Sequence, residues 1–172
     1  MIDSPAVTEP AALGDPAAWS DFAVATAGAA AALAGLLFVA LSINISSVLG
    51  SPRSTARAAS ALVLLASPVF LALALLVPWG STALGIVLVV LAVLAGAALA
   101  VMLPRPIPEV PITAWLATTL LPPAVLVVGT LLAGTGLLVG GLGGLLWLAP
   151  AIGFALFGGL VGAWVLLVEI LR

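Results

Sequence analysis

The chain has 172 residues, 65% hydrophobic and 6% charged, and its 18 glycines lift the apolar share to about three-quarters, against roughly 45–50% for a soluble domain. With a mean hydropathy of +1.44 it has too few polar groups to cover a globule in water, so the composition is that of an integral membrane protein. His, Cys, Tyr and Lys are all absent and the formal charge is only −2, which removes zinc and haem sites, thiol nucleophiles, Ser-His-Asp triads, Schiff bases and any basic patch for nucleic acid.

Residues 1–14 read as a flexible tail, with Pro5, Pro10 and small residues and no apolar run. Asp15-Pro16 has the form of a helix cap followed by proline at the first helical position. From there a single transmembrane domain, 15–172, is predicted as an all-α bundle of five spanning helices at about 16–48, 56–79, 82–103, 112–139 and 145–171. Each reaches the ~20 residues needed to cross a ~30 Å hydrocarbon core. The apolar runs show no alternation and are dominated by Ala and Leu, which argues against strands.

The punctuation between segments differs in strength. Gly80-Ser81, aided by Pro78, forces a tight antiparallel hairpin. Residues 104–111 contain Pro104, Pro106, Pro108 and Pro111, and four prolines in eight residues cannot continue a helix. Between the last two segments Gly134, Gly136, Gly140, Gly141, Gly143 and Gly144 fit a loose turn. A re-entrant fourth segment, leaving four true spans, is the other reading of this region.

Arg53, Arg57, Arg105 and Arg172 are the only basic residues. With five crossings they all fall on one side, which the positive-inside rule makes cytoplasmic. The tail, with Asp3, Glu9, Asp15 and Asp21 and no basic residue, then lies outside. Trp19, Trp79 and Trp147 mark the outer interface and Trp115 the inner one. The start has no basic n-region, so it does not read as a cleaved signal peptide.

Two passages carry a family likeness: Ala32-Leu33-Ala34-Gly35-Leu36-Leu37-Phe38-Val39-Ala40-Leu41-Ser42-Ile43-Asn44, and Ala163-Trp164-Val165-Leu166-Leu167-Val168-Glu169-Ile170-Leu171-Arg172. Together they resemble a group of small, uncharacterised polytopic membrane proteins of actinobacteria, some loosely labelled as membrane-protease modulators. The Lys-free, Ala/Gly/Leu-rich composition suits a GC-rich bacterial genome. The resemblance implies a bacterial plasma membrane and brings no activity and no site residues.

The main polar feature within a span is Ser42, Asn44, Ser46 and Ser47, and Asn44 is the only amide side chain in the sequence. A side-chain amide needs up to four hydrogen bonds and hydrocarbon supplies none. It therefore joins one helix to another near the cytoplasmic end, reaches the headgroups or, repeated around a symmetry axis, lines a narrow pore with the serines. Rows of small residues, Ala23, Ala27, Ala31 and Gly35 in the first segment and Ala151, Ala155, Gly159 and Ala163 beside Gly158 and Gly162 in the last, mark helix-packing faces. Thr118-Thr119-Leu120-Leu121-Pro122-Pro123 predicts a kink, because each proline releases the carbonyl four residues earlier. Carbonyls freed beside hydroxyls also occur at the ion sites of broken helices.

No ionisable residue falls in the middle of a segment, which disfavours a proton-coupled carrier. No catalytic constellation can be assembled, and no cofactor is expected. The expectation is a non-enzymatic protein of the lipid bilayer, a homo-oligomeric channel-like assembly with the first helix near its axis. The alternatives are an accessory or regulatory subunit bound to other membrane proteins, and a structural or lipid-organising protein.

Overall fold

The computed structural model describes residues 16–103 and 111–170. The expectations for the tail 1–14, for the Asp15 cap and for Arg105, Glu109 and Arg172 lie outside them. The described residues are all-helical, with five helices long and apolar enough to cross a membrane.

A 3-10 turn, Pro16–Trp19, leads into α1, Ser20–Ile43, and after a break at Asn44 comes the short α2, Ile45–Leu49. Helix α3 runs Pro52–Leu76 and α4 runs Ser81–Met102. The fourth span is continuous from Ile112 to Val139, which leaves no turn for a re-entrant loop. It is built from α5, Ile112–Trp115, a π-helical turn, Leu116–Leu120, and α6, Leu121–Val139. A 3-10 turn, Gly144–Trp147, then enters α7, Leu148–Ile170.

Local chemistry moves several boundaries from where the sequence suggests. Helix α3 begins at Pro52 instead of 56, because proline at the first helical position loses no bond and Ser51 is extended before it. It ends at Leu76 instead of 79, because Val77 precedes Pro78 and is driven to an extended conformation (φ −79°, ψ 133°). The glycine-rich connection is compact instead of loose. Gly140, Gly143 and Gly144 adopt positive φ, the Gly141 N–H donates to the Gly136 carbonyl, and the Trp147 Nε1–H donates to the Leu142 carbonyl at 2.7 Å.

Helices α3, α4, α6 and α7 form an antiparallel ring in which each packs on its two neighbours. Its core holds Leu71, Leu75, Leu84, Leu88, Leu126, Leu145 and Leu148. Helix α1 stands outside the ring and docks chiefly on α3, where Leu37 meets Ala61 and Leu65. Leu36, Phe38, Ile43, Val93, Phe157 and Trp164 are exposed on the perimeter, as helices surrounded by hydrocarbon require. Trp19, Trp79 and Trp147 share one end of the bundle, and Trp19 meets Phe22 edge-on with ring centroids 5.5 Å apart. Arg53 and Arg57 lie at the other end.

Candidate functional site

Helix α1 has two unlike faces. Toward the ring it buries Ala23, Thr26, Ala30 and Leu37. On the opposite side Asp21, Gly28, Gly35 and Ser42 stand seven residues apart, and Ala25, Ala32 and Val39 form a second row of the same period, which Ser46 continues in sequence beyond the break at Asn44, on α2. All eight are exposed. The combined spacing alternates four and three, the pattern that keeps a seam on one side of a helix winding left-handed about a partner. Apart from Val39 and the terminal Asp21, every position is Gly, Ala or Ser. A Cβ built on Gly28 or Gly35 meets nothing within 4 Å.

This seam is not the row expected from sequence. Four residues advance a helix by about 40° more than one turn, so a spacing of four drifts around the cylinder. Ala23 is fully buried, Ala27 half-buried, and Ala31 and Gly35 exposed. The seven-residue rows drift back by only about 20° per step and stay on the outside.

The polar cluster divides between faces. Ser42 and Ser46 lie on the open seam and Ser47 is exposed to one side of it. Asn44 is half-buried and turned toward α7, where it borders a small recess with Leu41, Ala163 and Leu166. Its Nδ2 donates to the Ala40 carbonyl at 3.0 Å, and its backbone N–H reaches the same oxygen at 3.3 Å. With φ −109° and ψ 23° it marks the bend between α1 and α2. Below the bend, the Thr55 hydroxyl ties the corner by donating to the carbonyls of Val48 and Ser51.

The Thr-Pro-Pro stretch forms a π turn. Neither Pro122 nor Pro123 can donate to Thr118 or Thr119, and immediately before them the Leu121 N–H donates to the Leu116 carbonyl, five residues back. The Thr118 hydroxyl donates to the Ala114 carbonyl at 2.8 Å. Both prolines are buried. Thr118, Thr119 and Pro123 border a recess of about 40 Å³ with Arg57 and Ser60 of α3 and Gly158 and Gly162 of α7, at the arginine end of the ring.

The small residues of α7 face inward. Gly158 lies so close to Pro122 that a Cβ there overlaps the proline ring, and a Cβ on Gly159 falls 2.6 Å from Leu65 Cγ. Gly162 packs on Ala61, whose Cβ is 3.2 Å from a Cβ built there. Ala151 and Ala155 are fully buried. Gly85, Gly129 and Gly134 are also sites of close helix approach; the sequence reading did not single out the first two, and it put Gly134, with Gly136, in the loose turn, whereas both lie inside α6. Among 18 glycines, nothing in their spacing separates these three from the rest.

No protein-family model, no curated protein and no solved structure matches the chain.

Proposed function

We propose that the protein is a non-enzymatic membrane protein that self-associates through α1 into a channel-like assembly. It lies in a bacterial plasma membrane with its N-terminus outside and Arg53 and Arg57 cytoplasmic. The observation that carries this reading is the open seven-residue seam of α1.

Parallel copies arranged about an axis bring that seam together from every subunit. Gly28, Ala32 and Gly35 allow close backbone approach, the means by which membrane helices associate without a hydrophobic driving force. Asp21 then forms a ring of carboxylates at the outer mouth, and Ser42 and Ser46 form rings of hydroxyls toward the inner end. A carboxylate ring favours cations, and hydroxyls offer dipoles without fixed charge. A single bundle supplies no such path: its buried polar side chains among the described residues are Thr26, Ser54 and Thr130, and the Thr130 hydroxyl is spent on the Leu126 carbonyl.

The experiment measures particle mass in mild detergent and ion flux from liposomes containing the purified protein. A defined ring of identical subunits and a flux above that of empty vesicles are expected, with cation preference reduced in Asp21→Asn. A monomer without flux that co-purifies with a larger membrane complex would replace this reading with an accessory subunit.

A further inference from the structure

The ring contains an unfilled space of about 310 Å³ between α3, α4 and α6. Its walls are Val63, Ala66 and Phe70 on α3, Leu91 and Ala95 on α4, and Leu126 on α6. Two causes are visible in the sequence. Ala66, Ala92 and Ala95 are too small to fill the gap between helices, and Pro68 interrupts the α3 ladder at Leu64. The space is about twice the ~150 Å³ of an apolar cavity that takes up benzene. It is large enough for roughly ten carbon-sized atoms, if each takes the ~30 Å³ share of a water molecule.

Its chemistry is one-sided. The two hydroxyls on its walls are already committed, Ser67 donating to the Val63 carbonyl and Thr130 to the Leu126 carbonyl, each at 2.7 Å. Water entering would find no donor and only these two hydroxyl oxygens as acceptors, too few for the three or so hydrogen bonds of a buried water. The wall residues lie near the middle of their spans, where only hydrocarbon surrounds the protein. Phe70 and Leu94, at 58% and 61% exposure, stand at the edge of the space and open it laterally toward that hydrocarbon. A void here loses the dispersion contacts of its whole lining.

We infer that this space is a binding site for one hydrocarbon chain of a bilayer phospholipid, which enters between α3 and α4 and lodges against Ala66 and Leu126. The headgroup has no part in recognition, because the site lies at mid-span and carries no charged group and no free hydrogen-bond donor. The chain completes the packing of the ring at the level where α3 is weakened by its proline. This inference is independent of how copies associate through α1, since the opening lies on other helices.

The test uses the whole protein in phosphatidylcholine liposomes carrying a trace of phospholipid with a photoactivatable diazirine at mid-chain, and the adducts are mapped by mass spectrometry. Labelling at Val63, Ala66, Phe70, Leu91 and Ala95 is expected several-fold above that at Val90 and Val93, which are exposed on α4 outside the site. Ala95→Phe and Ala66→Ile, which fill the space from opposite walls, should each remove the enrichment and leave the labelling of Val93 unchanged. The wild-type map decides the matter even where a variant fails to fold. Equal labelling of the site and of Val93 would make this an ordinary lipid-facing surface and overturn the inference. Equally strong labelling of the site by a probe placed next to the headgroup, or enrichment that persists in both variants, would overturn it as well.

Discussion

Gly85 of α4 and Gly134 of α6 face each other so closely that a Cβ on either would lie within 3 Å of the other's carbonyl oxygen, at 2.9 Å and 2.8 Å. The relation is reciprocal and its obstacle is backbone on both sides, so neither substitution can be absorbed by a side-chain rotation. Gly134→Ala or Gly85→Ala should therefore separate α4 from α6 and destabilise the ring by about 1–3 kcal/mol, the usual cost of overpacking. Thermal unfolding in detergent measures this. Gly28→Ala, on the open seam of α1, is the control and should leave the monomer's melting unchanged or slightly raised, since alanine is the better helix former. Equal losses at Gly28 and Gly134 would contradict the packing described.

The seam itself is tested by bulk. Gly28→Leu with Gly35→Leu adds side chains where nothing lies within 4 Å, so each subunit should fold and insert as before. Assembly should fail, because the added side chains hold neighbouring α1 backbones apart. Size in detergent and helical content by circular dichroism separate these effects. An assembly that persists unchanged would remove α1 from the contact.

Asn44 is expected to act on its own helix. Its amide donates to Ala40, four residues back in the same helix, so Asn44→Leu should cost no more than about 0.5–1.5 kcal/mol of stability, the net range for one hydrogen bond. Flux should survive that change and fall in Ser42→Leu, whose side chain lies on the seam. The reverse order would place Asn44 on the conducting surface.

Pro122→Ala with Pro123→Ala restores two N–H donors within reach of Thr118 and Thr119. The π turn over Leu116–Leu120 should relax to α-helix, seen as protection from exchange of the two new amides at 122 and 123. Ion flux should be unaffected by this change, and its selective loss with assembly intact would move the functional site to this turn.

The proposed sidedness can be tested by chemistry, since the sequence lacks cysteine. Gly50 and Gly141 are exposed at opposite ends of the bundle. On intact cells an impermeant maleimide should label Gly141→Cys and spare Gly50→Cys. The opposite pattern inverts the topology.

Much of the architecture is legible in the sequence because it is set by punctuation. Pro52, Pro78, the proline-rich linker and the glycines after Val139 interrupt hydrocarbon-length runs, and few other arrangements of helices fit between them. Boundaries moved where a local rule acts, as at Val77 before Pro78. The site was less legible. A row spaced by four looks like a packing face until its drift carries Gly35 to the outside, and the row spaced by seven became evident only once α3 was known to cover Leu37 and not Gly28. The Gly85–Gly134 contact depends on two helices that meet 49 residues apart in the chain, and single-helix periodicity carries no information about such a pairing. The π turn has a visible cause in Pro122 and Pro123, but its five-residue ladder is one of several ways to satisfy the freed carbonyls.

The closure of the ring by its final helix has a consequence for synthesis. Leu65 of α3 emerges from the ribosome 94 residues before Gly159 of α7, against which it packs. At 5–20 residues per second that interval lasts roughly 5–20 s. Throughout it, the flank of α3 that will receive α7 has no permanent neighbour in the bilayer, and the buried side of α6 around Pro122 lacks one for the last 37 residues of it. The nascent chain is thus a half-open arc until the fifth crossing is made, and that is the period in which membrane chaperones and proteases have access to it.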